Sequence, residues 1–297
     1  MPRCYVLGAG NLGTLAADYF ADAGWDCIAA GRAALTRRLS NGVMQWQRTL
    51  AADDGAPIQL LVLATKVQDS AAALAPLRAR LDHDSVLLRL QNGLLDPTTL
   101  GLPPLRHIEA ISFSGAWRDT GADGVMHVHR VAENDTYLGD GSALPPPWFA
   151  GLQQFWPKLQ WRTDIHWQQW RKLAVNAVLN PLTALYDCRN GELLAEPGRR
   201  AAMAALAAEV DALARRLFEH WPNDTLARSE QVAVATAGNL SSMCADRRAG
   251  RATEIDFING ALLRAAAQHH LSLPHHTEVV ARLQWPLASV DPLPGTF

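Results

Sequence analysis

A chain of 297 residues, 48% hydrophobic and 19% charged, suits two domains or one large one and can bury a sizeable core. A net charge of −2 with no basic run argues against a surface built for nucleic acid or anionic membrane, and no apolar stretch reaches the ~18 residues that a membrane span needs. The four cysteines, Cys4, Cys27, Cys188 and Cys244, are scattered with no CxxC pair, which fits a reducing cytoplasm better than a disulfide framework or a zinc site.

In chain order, "MPRCYVLGAG" runs straight into a short apolar strand and a glycine turn, unlike a secretory signal or a transit peptide, so a cytoplasmic protein is expected. "CYVLG" (4–8), "DCIAAG" (26–31), "QLLVLAT" (59–65), "SVLLRL" (85–90) and "HIEAISF" (107–113) are strand candidates, each followed by turn residues. Their continuous rather than alternating apolarity predicts strands buried on both faces of a mostly parallel sheet. Between the first two, "NLGTLAADYFADAG" (11–24) has helical spacing and closes on glycine. "DGVMHVHRVAEND" (123–135) and "TYLGDG" (136–141) read as later, less regular strands. From about residue 165 the texture becomes helical, through "DIHWQQWRKLAVNAVLN", "RRAAMAALAAEVDALARRLFEHW", "SEQVAVATAGNLSSM" and "TEIDFINGALLRAAAQHH". The expected organisation is an α/β Rossmann-type N-terminal domain, residues 1–165, and an all-α C-terminal domain, residues 166–297, with the boundary near "LQWRTD" (159–164). The tail "WPLASVDPLPGTF" (285–297), with three prolines, reads as an irregular end.

"VLGAGNLG" sets Gly8, Gly10 and Gly13 in a GxGxxG pattern directly after a strand and at the opening of a helix. The three glycines have separate uses: a tight turn, close approach of backbone to a pyrophosphate, and close helix–strand packing. The positive end of the helix then holds the diphosphate, so the turn residues Gly8, Ala9, Gly10, Asn11, Leu12 and Gly13 are cofactor-binding candidates. The second strand ends "AAGR", placing Arg32 where an NAD-preferring site carries an acid. An arginine there can pair with a 2′-phosphate, and no acid near it in sequence would repel that group; its alternative is an ordinary solvent-facing arginine. Lys66, in "LATKVQ", either reaches the same phosphates or is a surface lysine. NADP(H) is the expected cofactor.

In the helical half, Lys172, Asn176 and Asn180 advance about 40° per step and form one narrow line on a helix otherwise covered by apolar side chains. Such a helix is buried, so its polar line faces either a thin strip of solvent or a wet cleft. Pro181 cannot donate its backbone N–H and disfavours helical geometry at Asn180, which predicts a kink or break there. Further on, Thr253 with Asp256 three residues later resembles a capping box, making Glu254 the first helical residue, where the helix dipole favours its ionised form. Ser242 lies upstream, near an expected helix end.

The combined order and spacing of "GAGNLG" (8–13), "QNG" (91–93), "KLAVNAVLNPLTAL" (172–185) with "CRNGEL" (188–193), and "SSM" (241–243) then "TEIDFING" (253–260) resembles the ketopantoate reductases, or 2-dehydropantoate 2-reductases, nearly end to end. The resemblance implies NADPH-dependent reduction of ketopantoate to pantoate, as in pantothenate and coenzyme A biosynthesis. It implies that Lys172 is the general acid, that Glu254 holds substrate and positions the reacting groups, and that Asn176 and Asn180 bind substrate. Ser242 falls on a contact for the substrate carboxylate, Asn92 and Asn190 on further cofactor- or substrate-side asparagines, and Arg32 and Lys66 on NADPH-phosphate contacts. A small-molecule 2-keto acid is then the expected ligand, in a cleft between the domains, and a homodimer is the expected assembly. The chain departs from the family pattern after Asn92, where Gly93-Leu94-Leu95-Asp96 is bulkier than usual, and in 117–135. Reaction type is therefore firmer than substrate identity, because one methylene in a pocket shifts preference by about 1–3 kcal/mol.

Hydride transfer to a 2-keto acid builds negative charge on the carbonyl oxygen, which an ammonium can stabilise and protonate. Two other functions stay open on sequence: a reductase of the same family acting on another 2-keto acid, and a non-catalytic NADP(H)-binding sensor. "HVH" (127–129), His269/His270 and His275/His276 lack cysteine or carboxylate partners at supporting spacing and read as surface or loop histidines, so no metal is expected. There is no GxSxG-like nucleophile turn, and the ten scattered tryptophans read as packing.

Overall fold

The computed structural model describes residues 1–284; the proline-containing tail lies outside the described residues. The first half of the chain supplies, in order, β1 (Arg3–Leu7), α1 (Asn11–Asp22), β2 (Asp26–Ala29), β3 (Leu35–Ser40), β4 (Gln45–Ala52), β5 (Leu60–Leu63), α2 (Ser70–Leu74), β6 (Val86–Arg89), β7 (Arg106–Ser112), β8 (Gly115–Thr120), β9 (Met126–Ala132), β10 (Thr136–Gly139), α3 (Phe149–Gln153) and β11 (Leu159–Trp161). The strands form one sheet ordered β11-β10-β7-β6-β5-β1-β2-β4-β3-β9-β8. Its middle, from β7 through β4, is parallel throughout. All four residues of β5 are buried, as a strand covered on both faces requires. The Rossmann-type α/β character and the five apolar strands are as expected, and Tyr19, Phe20, Trp25, Trp148 and Trp156 pack against one another beside the sheet.

The later strands expected in 123–135 and 136–141 are present as β9 and β10, and β3, β4 and β8 extend the sheet beyond the expected strands. β3 and β4 pair antiparallel, and the turn between them is held by Asn41 Oδ1, which accepts from the N–H groups of Val43 and Met44 at 3.1 and 2.8 Å. β8 and β9 form a further antiparallel hairpin, at the sheet's edge, and β10 pairs antiparallel with β7. Much of the surface of the four hairpin strands stays exposed, so none carries a continuous buried apolar run, and β4 buries only Leu50 fully.

The second half contributes α4 (Ile165–Leu185), α5 (Pro197–Leu217), α6 (Thr225–Ala235), α7 (Ser242–Arg248), α8 (Ile255–Gln268) and α9 (Pro274–Gln284), with no strand among the described residues after β11. The chain divides into two compact units, Met1–Gln91 with Asp96–Gln168, and Asn92–Leu95 with the chain from Gln169. The short segment 92–95 thus belongs with the helices: the Leu94 N–H donates to the Phe257 carbonyl of α8 at 2.9 Å. The helical core joins Val178, Leu179 and Leu182 of α4 to Met203, Leu206 and Ala207 of α5 and to Val279 of α9. Arg171 is 6% exposed and makes a two-pronged ion pair with Asp224 at 2.5 and 2.7 Å, which ties α4 to the start of α6. Among the described residues no helix is long and apolar enough to cross a membrane.

Of the kink or break expected at Pro181, the break does not occur; α4 runs through it to Leu185. Proline at 181 removes the donor that would have satisfied the carbonyl of Ala177, four residues earlier. Asn259 of α8 replaces it, donating from Nδ2 to the Ala177 oxygen at 2.8 Å. The same amide nitrogen lies 2.9 Å from His276 Nδ1, and His276 Nε2 lies 3.2 Å from the Leu206 carbonyl. His276 is therefore neither a surface nor a loop histidine. It is fully buried in α9, and burial pushes its pKa down to about 4.

Candidate active site

The glycine turn follows β1 and opens α1, with Gly10 as the residue capping the helix N-terminus. Gly8 takes φ +99°, and a Cβ there would lie 2.4 Å from the Thr65 nitrogen, so only glycine fits. A Cβ on Gly13 would lie 2.1 Å from the Gly8 carbonyl oxygen, which is the close packing of helix on turn. Gly10 differs: a Cβ there would meet only the Arg118 guanidinium, at 3.0 Å from Nη1. The Asn11 side chain fastens β8 to the turn by donating to the Ala116 carbonyl at 2.9 Å. Ala9 offers its carbonyl to Arg37 Nε of β3 at 3.3 Å, and Leu12 packs against the core of the sheet. Two arginines that the sequence reading passes over therefore stand at the turn. Burial, with like charge from Arg118 and Arg32, holds the Arg37 pKa below its usual value, so the three guanidiniums share one electropositive neighbourhood.

Arg32 is exposed at the end of β2. The sequence shows no acid beside it, but β4 delivers one: Asp53 accepts from the Gly31 N–H at 2.5 Å. That carboxylate is already engaged by Arg80, at 2.8 and 2.9 Å, and these bonds bring its pKa down to about 2. Lys66 follows directly on the Ala64–Thr65 backbone that crowds Gly8.

In the helical unit, Lys172 Nζ donates to Asn92 Oδ1 at 2.9 Å, across 80 residues of sequence. The residue as a whole keeps intermediate exposure, while desolvation of the ammonium lowers its pKa to about 8; Glu254 opposes that shift by favouring the charged form. Glu254 is 8% exposed. It is the N-cap residue of α8, not its first helical residue, and no side-chain cap of the Thr253–Asp256 kind is formed. Lys172, Asn92 and Glu254 are thus brought together. Asn176 and Asn180 follow on the same line of α4, with Asn180 8% exposed.

The line continues to Thr183, whose hydroxyl donates to Ser241 Oγ at 2.7 Å. Ser241, not Ser242, caps α7, accepting from the Cys244 N–H at 3.1 Å. Ser242 is exposed and opens α7, so it marks a helix start rather than the expected end. Asn190 is not brought to Lys172 by any of its bonds: its side chain donates to Thr236 Oγ1 at 2.8 Å and its backbone N–H to the Asn239 carbonyl at 3.0 Å. Thr183 and Asn259 were both missed on sequence, although Thr183, three residues after Asn180, falls on the face of the helix that carries Lys172 and Asn176, and Asn259 sits in "TEIDFING".

The family descriptions "Ketopantoate reductase PanE/ApbA" and "Ketopantoate reductase PanE/ApbA C terminal" match residues 4–142 and 164–285. A 2-dehydropantoate 2-reductase of Vibrio cholerae is 30% identical over 298 residues, covering 94% of this chain and 96% of its own. The chain belongs to the ketopantoate reductase family. Another member, the 2-dehydropantoate 2-reductase of Salmonella typhimurium, is 35% identical over 232 residues, covering 74% of this chain and 72% of its own. A PanE/ApbA family ketopantoate reductase from Ralstonia eutropha shares the family fold, with a TM-score of 0.83 over 95% of this chain and 97% of its own at 21% identity.

Proposed function

We propose that the protein is an NADPH-dependent reductase that converts 2-dehydropantoate to pantoate. The observation that carries the reading is Lys172: an ammonium with its pKa lowered to about 8, bonded to Asn92 and influenced by Glu254. A lysine so tuned can hold its proton near neutrality and still release it, as a general acid must. The relatives named 2-dehydropantoate 2-reductase support the substrate.

The cofactor, when bound, supplies hydride to the carbonyl carbon. Gly8 to Gly13 would receive its diphosphate at the N-terminus of α1, beneath Arg118. Arg32 and Arg37 would meet the 2′-phosphate, since a cluster of like charges is relieved by an anion, and Lys66 would be a further contact to the cofactor's phosphates. Residues 1–165 would then be the NADP(H)-binding part and 166–297 the substrate and catalytic part, with Asn92–Leu95 attached to the latter. Lys172 stabilises the developing oxyanion and gives it the proton. Glu254 keeps the ammonium charged, Asn176 and Asn180 hold the substrate hydroxyl and carbonyl, and Ser242 takes the carboxylate. Four free, buried cysteines fit a cytoplasmic enzyme, and a homodimer is the proposed assembly.

Steady-state oxidation of NADPH and NADH against a panel of 2-keto acids tests the reading. The expected result is highest kcat/KM for 2-dehydropantoate with NADPH, and in Lys172→Ala a kcat lower by about 10²–10⁴ with NADPH affinity retained. Preference for another keto acid would move the substrate assignment within the family. Cofactor binding without turnover on any member of the panel would replace the enzyme by a sensor.

A further inference from the structure

Trp117 and Asp119 of β8, His127 and His129 of β9, and Arg38 and Ser40 of β3 share one face of the sheet. The antiparallel register sets Trp117 against His129 and Asp119 against His127, and the parallel register sets Arg38 and Ser40 beside the two histidines. The hairpin thus supplies the carboxylate partner that "HVH" lacks in sequence. One ring nitrogen of each histidine and one oxygen of Asp119 lie within 4.8 Å of one another.

His129 Nε2 is 3.2 Å from Asp119 Oδ2. That separation matches the edge of a tetrahedron whose corners stand about 2 Å from its centre, the distance at which nitrogen and oxygen bind zinc. The other nitrogen of the ring, Nδ1, is 2.9 Å from the hydroxyl of buried Ser40. A bond of that kind from the second nitrogen is how ligating histidines are oriented. His127 Nε2 is buried and has no hydrogen-bond partner among the described residues, which costs about 1–3 kcal/mol if nothing engages it. The Trp117 ring stacks on His129 with centroids 3.9 Å apart, limiting the motion of that ring. The positive charge of Arg38 is answered by Asp123 at 2.5 Å, so it does not stand unopposed beside the cluster.

We propose that Asp119, His127 and His129 bind a divalent transition metal of the zinc class through two imidazole nitrogens and one carboxylate oxygen. Nitrogen donors select against magnesium and calcium, which take oxygen ligands. Bound metal would bolt β8 to β9, and β8 is the strand that carries Arg118 to the glycine turn. The inference does not rest on the proposed reductase activity.

The test is calorimetric titration of the chelator-treated full chain with Zn²⁺, paralleled by Co²⁺ and its visible absorption. One equivalent should bind, and His127→Gln, His129→Gln and Asp119→Asn should each weaken binding by about tenfold or more. Asp119 is half exposed, so its substitution reports on binding without threatening the fold. The exposed run Asp82-His83-Asp84 is the control, and His83→Gln should bind as the unaltered chain does. The proposal fails if the unaltered chain binds no Zn²⁺, if Asp119→Asn binds as tightly as it, or if His83→Gln is the variant that loses the metal.

Discussion

At the scale of single residues, the chemistry turns on how far each charge is taken from water. Desolvation lowers the Lys172 pKa from 10.5 to about 8, and the Glu254 carboxylate opposes it. A proton donor must be protonated before the step, so the reductive rate should hold on the acid side of about pH 8 and fall tenfold per unit above it. Glu254→Gln removes the opposing charge and should move that limb to lower pH. A reductive kcat profile that stays flat to pH 10, or a limb unmoved in Glu254→Gln, would count against Lys172 as donor. The arginines divide by position. Arg32→Ala and Arg37→Ala should weaken NADPH by about tenfold to a hundredfold, the size of a charge-assisted bond, and leave NADH nearly unchanged. Arg118→Ala, over Gly10, should weaken both cofactors alike. Equal effects of all three variants on the two cofactors, measured by fluorescence titration, would remove the 2′-phosphate assignment. Lys172 and Glu254 are singled out in sequence by local patterns, a polar line on an apolar helix and a helix start, and their proposed roles come from the family resemblance. Arg37 and Arg118 are not, because they reach the glycine turn from strands that themselves carry no apolar signature.

At the scale of elements, α4 shows how a local prohibition is overruled from outside. Pro181 should end the helix, yet the helix continues because Asn259 supplies the donor that proline lacks. Asn259→Leu should cost about 2–4 kcal/mol, since it leaves the Ala177 carbonyl buried without a donor and His276 Nδ1 without its partner. In a Pro181→Ala background the new backbone N–H can serve Ala177, so the same substitution should cost about 1 kcal/mol less. Urea unfolding of the four proteins in this cycle measures the coupling, and strict additivity would refute the compensation. The parallel strands β1, β2, β5, β6 and β7 are legible because burial on both faces writes itself as a continuous apolar run. β3, β4 and β8 are hidden because half their side chains meet water. One local signal does remain in that stretch, the Asn41-Gly42 pair, since Asn-Gly between short strands is a strong hairpin mark.

At the scale of the whole molecule, what sequence spacing cannot show is which distant segments join one unit. Asn92–Leu95 lies in the strand-rich half of the chain but packs with the helices, and that placement delivers Asn92 to Lys172. The response of stability to pH is set at this scale too, by groups that burial has detuned. Asp53, held down to about 2 by Arg80 and backbone N–H groups, keeps its full contribution until the pH falls below the ordinary carboxylate range. His276 acts earlier. Its folded pKa of about 4 lies below the 6.5 of the unfolded chain, so between those values the unfolded state binds more protons and stability falls as the pH falls. Integrated from pH 7 to pH 5, the loss is about 2 kcal/mol. His276→Gln keeps an acceptor for Asn259 but cannot take up a proton. It should start less stable at pH 7, through the lost bond to Leu206, and then lose about 2 kcal/mol less than the unaltered protein on going to pH 5. Unfolding free energies of both proteins at pH 7, 6 and 5 decide this. Parallel lines would place the acid sensitivity on other groups; converging lines would place it on the one histidine buried where Asn259 repairs the proline in α4.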